Sequence, residues 1–239
     1  MAAPQGSRTG RAFIDLHCHT RASFDSLSDP VKVAETAASR GLTHLVITDH
    51  DRVDGALEAQ AAAPADLTVI VGEEIRVREG DLIAAFIREA VPPGLSAREA
   101  IAAVREQGGL VGVPHPLDRF RGFGRGRADL EAIAAEVDWI EAYNARVLNP
   151  ASNGEAAHVA REQGVPGVAV SDAHSLLEVG VAYCGLGGDP STPEGLLAAL
   201  AEIELVTGRA TYLVRGWTPL AKLVQRLRGN GRVRAGATR

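Results

Sequence analysis

The sequence predicts an α/β domain whose strands close into a barrel, and three observations lead there. Short apolar runs alternate with Ala-rich helical runs along most of the chain. Repeated strand–helix alternation implies a parallel sheet, open or closed. Aromatic residues make up only 4% of a chain that is 46% apolar, a balance better suited to wound helices and strands than to an all-β sandwich. Histidines and acids follow the apolar strand runs: His17 and His19, then His50, Glu74, His115, and finally Asp172 and His174. In a barrel the C-terminal strand ends converge on one face. An open sheet would concentrate such residues at a switch point between few strands.

The elements follow in order. "AFIDLH" reads as a strand. "DPVKVAETAASRG" reads as a helix, with Asp29 capping it, Pro30 in its first turn and Gly41 ending it. "LTHLVITDHD" is a second strand, and "VDGALEAQAAAP" a helix stopped by Pro64. "LTVIVGEEIRV" and "DLIAAFI" are the third and fourth strands. "SAREAIAAVREQGG" is a helix capped by Ser96, followed by the strand "LVGVPHP" and a Gly/Arg loop, "LDRFRGFGRGRA". "ADLEAIAAEV" reads as a helix, "DWIEAYNA" as a strand, "PASNGEAAHVAREQG" as containing a helix, and "VPGVAVSDAHS" as a strand. "TPEGLLAALAE" is a further helix, and "LAKLVQRLRGNGRVRAGATR" a short amphipathic helix running into a basic tail.

The 239 residues suffice for one large domain. Its expected organisation is a flexible leader over 1–11, the catalytic-type domain over 12–215, and a C-terminal helix with basic tail over 216–239. The net charge of −5 argues against a broad nucleic-acid-binding surface. The tail is expected to be a solubilising end rather than a nucleic-acid contact. Cys18 and Cys184 form no metal-like pair, and a reduced, cytoplasmic setting follows. No apolar run is long enough to span a bilayer, so no membrane partner is expected. The leader lacks the apolar stretch of a signal peptide. Nothing in the sequence sets an oligomeric state.

His17 and His19 lie two apart, and side chains two apart on a strand point the same way. Both imidazoles can reach one ion, and Glu74 and Asp172 can add oxygen ligands. So many imidazoles and carboxylates aimed into one cavity repel or stay unsatisfied without cations. A multi-metal centre of two or three divalent ions (Mn, Fe or Zn) resolves this. Such ions generate a bridging hydroxide near neutral pH and clamp the oxygens of an in-line displacement at phosphorus. No Ser or Cys nucleophile with a partnered base stands out, and no phosphate-loop pattern occurs. Arg119 and Arg121, in a loop that also holds Arg125 and Arg127, are candidate phosphate ligands, with Arg21 a further candidate. His44 and His158 read as packing or surface residues, Cys18 as core. Asp15 lies too deep to ligate, and Asp49 or Asp51 either orients a histidine or shapes a turn.

These motifs resemble the PHP superfamily, named for its polymerase and histidinol phosphatase members. "DLHCHT" resembles its first motif, "ITDHD" around His50 the second, "VPHP" around His115 the third and "SDAHS" the fourth. "GEEI" resembles its bridging-glutamate segment, which selects Glu74 over Glu73. The resemblance runs from about Phe13 to about Tyr183. It implies a distorted (β/α)7 barrel with a trinuclear site. His17, His19, Glu74 and Asp172 would hold one metal, Glu74 and His115 the second, and Asp25, His50 and His174 the third. Asp81 stands where similar members carry a histidine, and it can still ligate as a harder, anionic donor. The implied activity is hydrolysis of a small phosphomonoester or nucleotide, with His174 or Asp25 relaying the leaving-group proton. Exonucleolytic trimming of short oligonucleotides is the near variant. An amidohydrolase-like C–N hydrolase on the same centre and a metal-holding, inactive binding domain are the alternatives.

Overall fold

Among the described residues, the apolar runs assemble into one nine-stranded sheet that curls almost closed. The computed structural model describes residues 10–210 and 217–233. The first half holds β1 (Arg11–Asp15), α1 (Pro30–Ser39), β2 (His44–Ile47), α2 (Asp54–Ala61), β3 (Thr68–Arg76), β4 (Asp81–Ala85), α3 (Ala97–Glu106) and β5 (Leu110–Val113). The second half holds α4 (Arg127–Ile133), β6 (Trp139–Asn144), α5 (Pro150–Gln163), β7 (Gly167–Val170), β8 (Tyr183–Gly187), α6 (Pro193–Ala199), β9 (Ile203–Val206) and α7 (Trp217–Leu227). The order across the sheet is β7-β6-β5-β4-β3-β2-β1-β8-β9.

The helix starts are written locally. Asp29 accepts from the backbone N–H of Val31 and Lys32, with Pro30 opening α1. Ser96 and Glu99 form a reciprocal capping box on α3. Asn149 caps α5, and Gly164 closes it in the left-handed region at φ 67°.

Closure comes from β1 meeting β7 beyond their regular ends. His19 N–H donates to Ala173 O at 2.8 Å and Asp172 N–H to His17 O at 3.0 Å. Lower down, Cys184 of β8 pairs with Ile14 of β1 while its Sγ lies 3.2 Å from Ala169 N of β7. One apolar cluster takes residues from β1 through β8 and none from α1–α5, so it fills the barrel interior: Ile14, Val46, Ile70, Ile83, Trp139 and Val170 among them. Trp139 fits because Gly112 beside it has no side chain; a Cβ there would meet Trp139 Nε1 at 2.1 Å. The outer clusters pack α1 and α2 against one part of the wall and α3–α5 against another. Buried apolar area of this kind is the main favourable term in such a fold.

The sheet is mixed rather than parallel. β4 runs antiparallel to both β3 and β5, and β8 antiparallel to both β1 and β9. The reason for β4 is connection length. Only Val77–Gly80 separates it from β3, with Val77 N–H bonded to Gly80 O at 2.9 Å. A parallel crossover needs a dozen residues or more. β8 and β9 have no counterpart in the sequence reading: β8 is diluted by Gly185 and Gly187, and the residues of β9 are half-buried or exposed.

At the N-terminal end one boundary differs from the sequence reading. Arg11, assigned to the leader, already belongs to β1; residues 1–9 lie outside the described residues. The described residues after α7, 228–233, pack against the domain. Asn230 Nδ2 donates to the carbonyls of Arg21 and Ala22, and Arg232 reaches Asp81. Residues 234–239 lie outside the described residues. Among the described residues, no helix is long and apolar enough to cross a membrane.

Candidate metal centre

The strand ends supply the site one by one. His17 and His19 follow β1, and Asp25 lies in the loop after them. His50 follows β2, Glu74 lies in β3, Asp81 opens β4, His115 follows β5, and Asp172 and His174 follow β7. Three of these turns use backbone conformations that L-residues rarely adopt: Asp51, His115 and Asp172 have φ of 54°, 29° and 52°. Strained non-glycine backbone persists where the surroundings enforce it, often at functional sites.

The potential ligand atoms converge. His17 Nε2 lies 2.9 Å from His19 Nε2 and 3.3 Å from Glu74 Oε2. Asp172 Oδ1 lies 3.6 Å and 3.5 Å from the same two nitrogens. Glu74 Oε1 is 3.1 Å from His115 Nε2, and its Oε2 is 3.3 Å from His50 Nδ1. Asp25 Oδ2 is 3.5 Å from His50 Nε2 and 3.4 Å from His174 Nε2. Three groups with ligand atoms within 4.8 Å of one another result: His17, His19 and Asp172; Glu74, Asp81 and His115; and His19, Asp25, His50 and His174. Glu74 therefore touches residues of all three groups, at the centre of the array.

The far side of most imidazole rings is already engaged. His17 Nδ1 meets Glu141 Oε1 at 2.6 Å, His115 Nδ1 meets Arg121 O at 3.1 Å, and His174 Nδ1 meets Asp172 O at 2.9 Å. Carbonyl and carboxylate oxygens only accept, so Nδ1 carries the hydrogen and a neutral ring turns its Nε2 lone pair inward. His19 Nδ1 contacts Ser23 Oγ at 3.0 Å. Among the described residues, buried Asp25 Oδ1, His50 Nδ1 and Asp172 Oδ1 find no hydrogen-bond partner. Buried polar atoms without partners are costly. Inward lone pairs beside unpartnered carboxylate oxygens fit divalent cations, and the donor set of imidazole and carboxylate suits Mn, Fe or Zn.

The packed carboxylates and imidazoles also shift one another's protonation. Burial alone would raise Asp25, Glu74 and Asp172, yet all three carboxyls sit well below the usual range. His174 and His50 outweigh burial at Asp25, His50 and His17 at Glu74, and Arg121 and His17 at Asp172. Burial lowers His174 to about 3, with Arg146 and His19 adding to it. For His17 and His50 burial pulls down, but neighbouring carboxylates win: Glu141, Asp172 and Glu74 raise His17 well above its ordinary value, and Glu74 and Asp25 bring His50 to about 9. Opposed shifts in touching groups mark a packed ionic cluster.

The arginines proposed from sequence part company. Arg121 reaches the site, its Nη1 donating to Asp172 Oδ2 at 2.7 Å. Arg119 is exposed, stacks its guanidinium 5.7 Å from the Phe120 ring, and lines a neighbouring cavity under the Gly/Arg loop. Arg21 points away from the centre because Asp29 and Glu58 hold its guanidinium. Asp81 lies within the cluster but also accepts from Arg232 Nη2 at 3.2 Å. Asp15 sits beneath the histidines, accepting from Ser171 N–H at 3.1 Å. Asp49 holds Thr20, and Asp51 Oδ1 accepts from Arg76 N–H, so both shape turns.

Sequence reasoning missed four residues. Glu141 also accepts from His115 N–H at 2.7 Å and Asn144 Nδ2 at 2.8 Å. Its signal was an acid inside the apolar run "WIEAY", a placement that demands a partner. Glu178 accepts from His174 N–H. Lys222 and Arg232 line the same 340 Å³ cavity as Asp25, His50, Glu74 and His174.

A nearly closed barrel with imidazoles and carboxylates gathered at its mouth defines a metal-binding barrel protein. The chain belongs to the PHP domain family: the PHP domain model matches residues 15–149, and the PHP-associated model matches 150–204. Two uncharacterised proteins of Methanocaldococcus jannaschii are similar. One is 33% identical over 143 residues, covering 55% of this chain and 81% of that protein. The other is 30% identical over 175 residues, covering 71% and 68%. Among solved structures, a two-domain protein from Bacteroides vulgatus containing a predicted PHP-like metal-dependent phosphoesterase matches with a TM-score of 0.68 at 16% identity. That match covers 83% of this chain and 65% of the Bacteroides chain, so the likeness is one of fold over about two thirds of that protein.

Proposed function

We propose that the protein is a metal-dependent phosphoesterase that hydrolyses a small phosphomonoester or nucleotide in the cytoplasm. One observation carries this reading. Three groups of imidazoles and carboxylates, with inward lone pairs and unpartnered buried oxygens, meet around Glu74, and Asp25, His50, Glu74, Asp81 and His174 line one cavity. His17, His19, Glu74 and Asp172 would hold one ion, Glu74 and His115 with Asp81 a second, and Asp25, His50 and His174 a third. Bound there, divalent ions supply an activated water at neutral pH and charge neutralisation at a phosphoryl group.

The chain's own residues do the rest. Glu141 fixes the His17 ring and, through His115 N–H, the backbone that aims His115. Arg121 and Asn144 Nδ2 hold Asp172 Oδ2, leaving Oδ1 facing His17 and His19. Asp25 and His174 face each other within one group, where they would hold the third ion and where either would be placed to relay the leaving-group proton. At 35% side-chain exposure, Arg121 is the sequence-proposed arginine positioned to meet substrate oxygens at the mouth.

The test is inorganic phosphate release from a panel of phosphomonoesters, nucleotides and short oligonucleotides, with manganese present and metal content measured. The reading expects turnover on at least one phosphate ester and loss of turnover on chelation. Silence across the panel with turnover of an amide would replace it with C–N hydrolysis. Oligonucleotide turnover alone would select the exonuclease variant.

A further inference from the structure

One wall of the cavity comes from α7 and the turn after it. Gln225, 2% exposed, anchors this wall: its Nε2 lies 2.6 Å, 3.0 Å and 2.7 Å from the carbonyl oxygens of Arg21, Ser23 and Ser26. Those three residues flank Asp25 in the loop. Asn230 adds two more bonds to the same loop, and Arg52 Nη1 donates to Asn230 Oδ1 at 2.9 Å. The segment is thus fixed to the loop that bears a candidate ligand.

That anchored wall delivers two cations to the mouth. Lys222 Nζ lies 3.9 Å from Asp25 Oδ2, and Arg232 Nη2 lies 3.2 Å from Asp81 Oδ1. Both also sit against the Phe24 ring, at 5.3 Å and 5.2 Å from its centroid. Neither is used up by its acid. The Lys222 side chain remains 51% exposed. Arg232 Nε is buried with no hydrogen-bond partner among the described residues, the Asp51 carboxylate lying 3.8 Å away. Asp25 and Asp81 both belong to the candidate ligand groups. Divalent ions on those acids would bring like charge against the ammonium and the guanidinium, which repel at such separations. An anion lying between the two sets of positive charge removes the repulsion.

We propose that Lys222 and Arg232 are phosphate-binding residues, holding non-bridging oxygens of the substrate between α7 and the metal centre. This assignment rests on the phosphoesterase reading. It moves the anion-holding role from Arg21 and Arg119, which lie outside the cavity, to the C-terminal segment. A guanidinium fork and an ammonium suit phosphate oxygens in complementary ways.

The experiment titrates inorganic phosphate into the metal-loaded protein by calorimetry, with metal content measured in the same samples. K222A and R232A should each weaken phosphate binding by about ten- to hundredfold at unchanged metal loading. K222R and R232K should recover part of it. R226A removes a charge from an exposed position of the same helix and should leave phosphate affinity unaltered. In p-nitrophenyl phosphate turnover, the two alanine variants should raise KM more than they lower kcat. Unchanged phosphate affinity in K222A and R232A at full loading, or equal losses in R226A, would overturn the assignment while leaving the phosphoesterase reading intact. Phosphate binding that depends on Lys222 and Arg232 in a protein that turns over no phosphate ester would support the assignment and overturn that reading.

Discussion

Replacing Glu141 by glutamine changes a single oxygen for an NH2 group, and the surrounding network dictates where that group must go. Glu141 Oε2 accepts from His115 N–H at 2.7 Å and from Asn144 Nδ2 at 2.8 Å. The first donor is backbone and cannot turn. The second is fixed because Asn144 Oδ1 accepts from Arg146 N–H at 2.9 Å. The glutamine oxygen must therefore stay on that side, and its NH2 must face His17 Nδ1, 2.6 Å from the present Oε1. An NH2 donates only, so His17 must accept at Nδ1 and carry its hydrogen on Nε2. That hydrogen points at His19 and Glu74, where a metal lone pair is needed. Loss of an outer partner of a ligating histidine typically costs about 10–100-fold in metal affinity, or roughly 1.4–2.7 kcal/mol. Metal titration by calorimetry, with circular dichroism confirming the fold, should show one of the ion sites weakened by that factor in E141Q. A folded E141Q that binds every ion as tightly as wild type would refute the argument that the far side of His17 sets its ligand lone pair.

Three further outcomes follow from the same geometry. Q225A strips the side-chain donor from the carbonyls of Ser23 and Ser26, while Arg21 O keeps Asn230 Nδ2, and should destabilise the protein by roughly 2–4 kcal/mol; urea unfolding with an unchanged midpoint would contradict that. Glu73 is raised to about 8 by burial, against which Val91 N–H gives only partial relief. The folded state therefore keeps its proton where the unfolded chain has lost it, and the stability from Glu73 is full below the unfolded value of about 4.5 and disappears as pH rises toward 8. E73Q should recover roughly 3 kcal/mol at pH 7, so its lead in melting temperature must widen from pH 5 to pH 8; a constant lead would refute the assignment. Manganese added to metal-free protein should raise the melting temperature, by about 2.7 kcal/mol of stability per independent site at a hundredfold excess over Kd; an unmoved melting curve would argue against ions held by the native cluster.

The site was more legible than the sheet. His17 and His19 could be paired because strand side chains repeat every two residues, and the other strand-end histidines because each follows its own apolar run. Direction along the sheet carries no such mark. β4 looked like another parallel strand although its four-residue link to β3 allows only a hairpin. β8 was overlooked because glycines thin its apolar pattern. Among charged residues, local sequence showed that Arg21 follows the His17–His19 pair, but not that Asp29 and Glu58 capture it. The amphipathic character of α7 was readable, whereas its seat against the Asp25 loop depends on contacts some two hundred residues apart in the chain and leaves no local trace.

The decisive measurement is anomalous diffraction from crystals grown with manganese, recorded where manganese scatters anomalously. Peaks between His17, His19, Glu74 and Asp172, between Glu74 and His115, and between Asp25, His50 and His174 are predicted. A well-ordered barrel with the same side chains in place and no anomalous peak among them would contradict the existence of the metal centre.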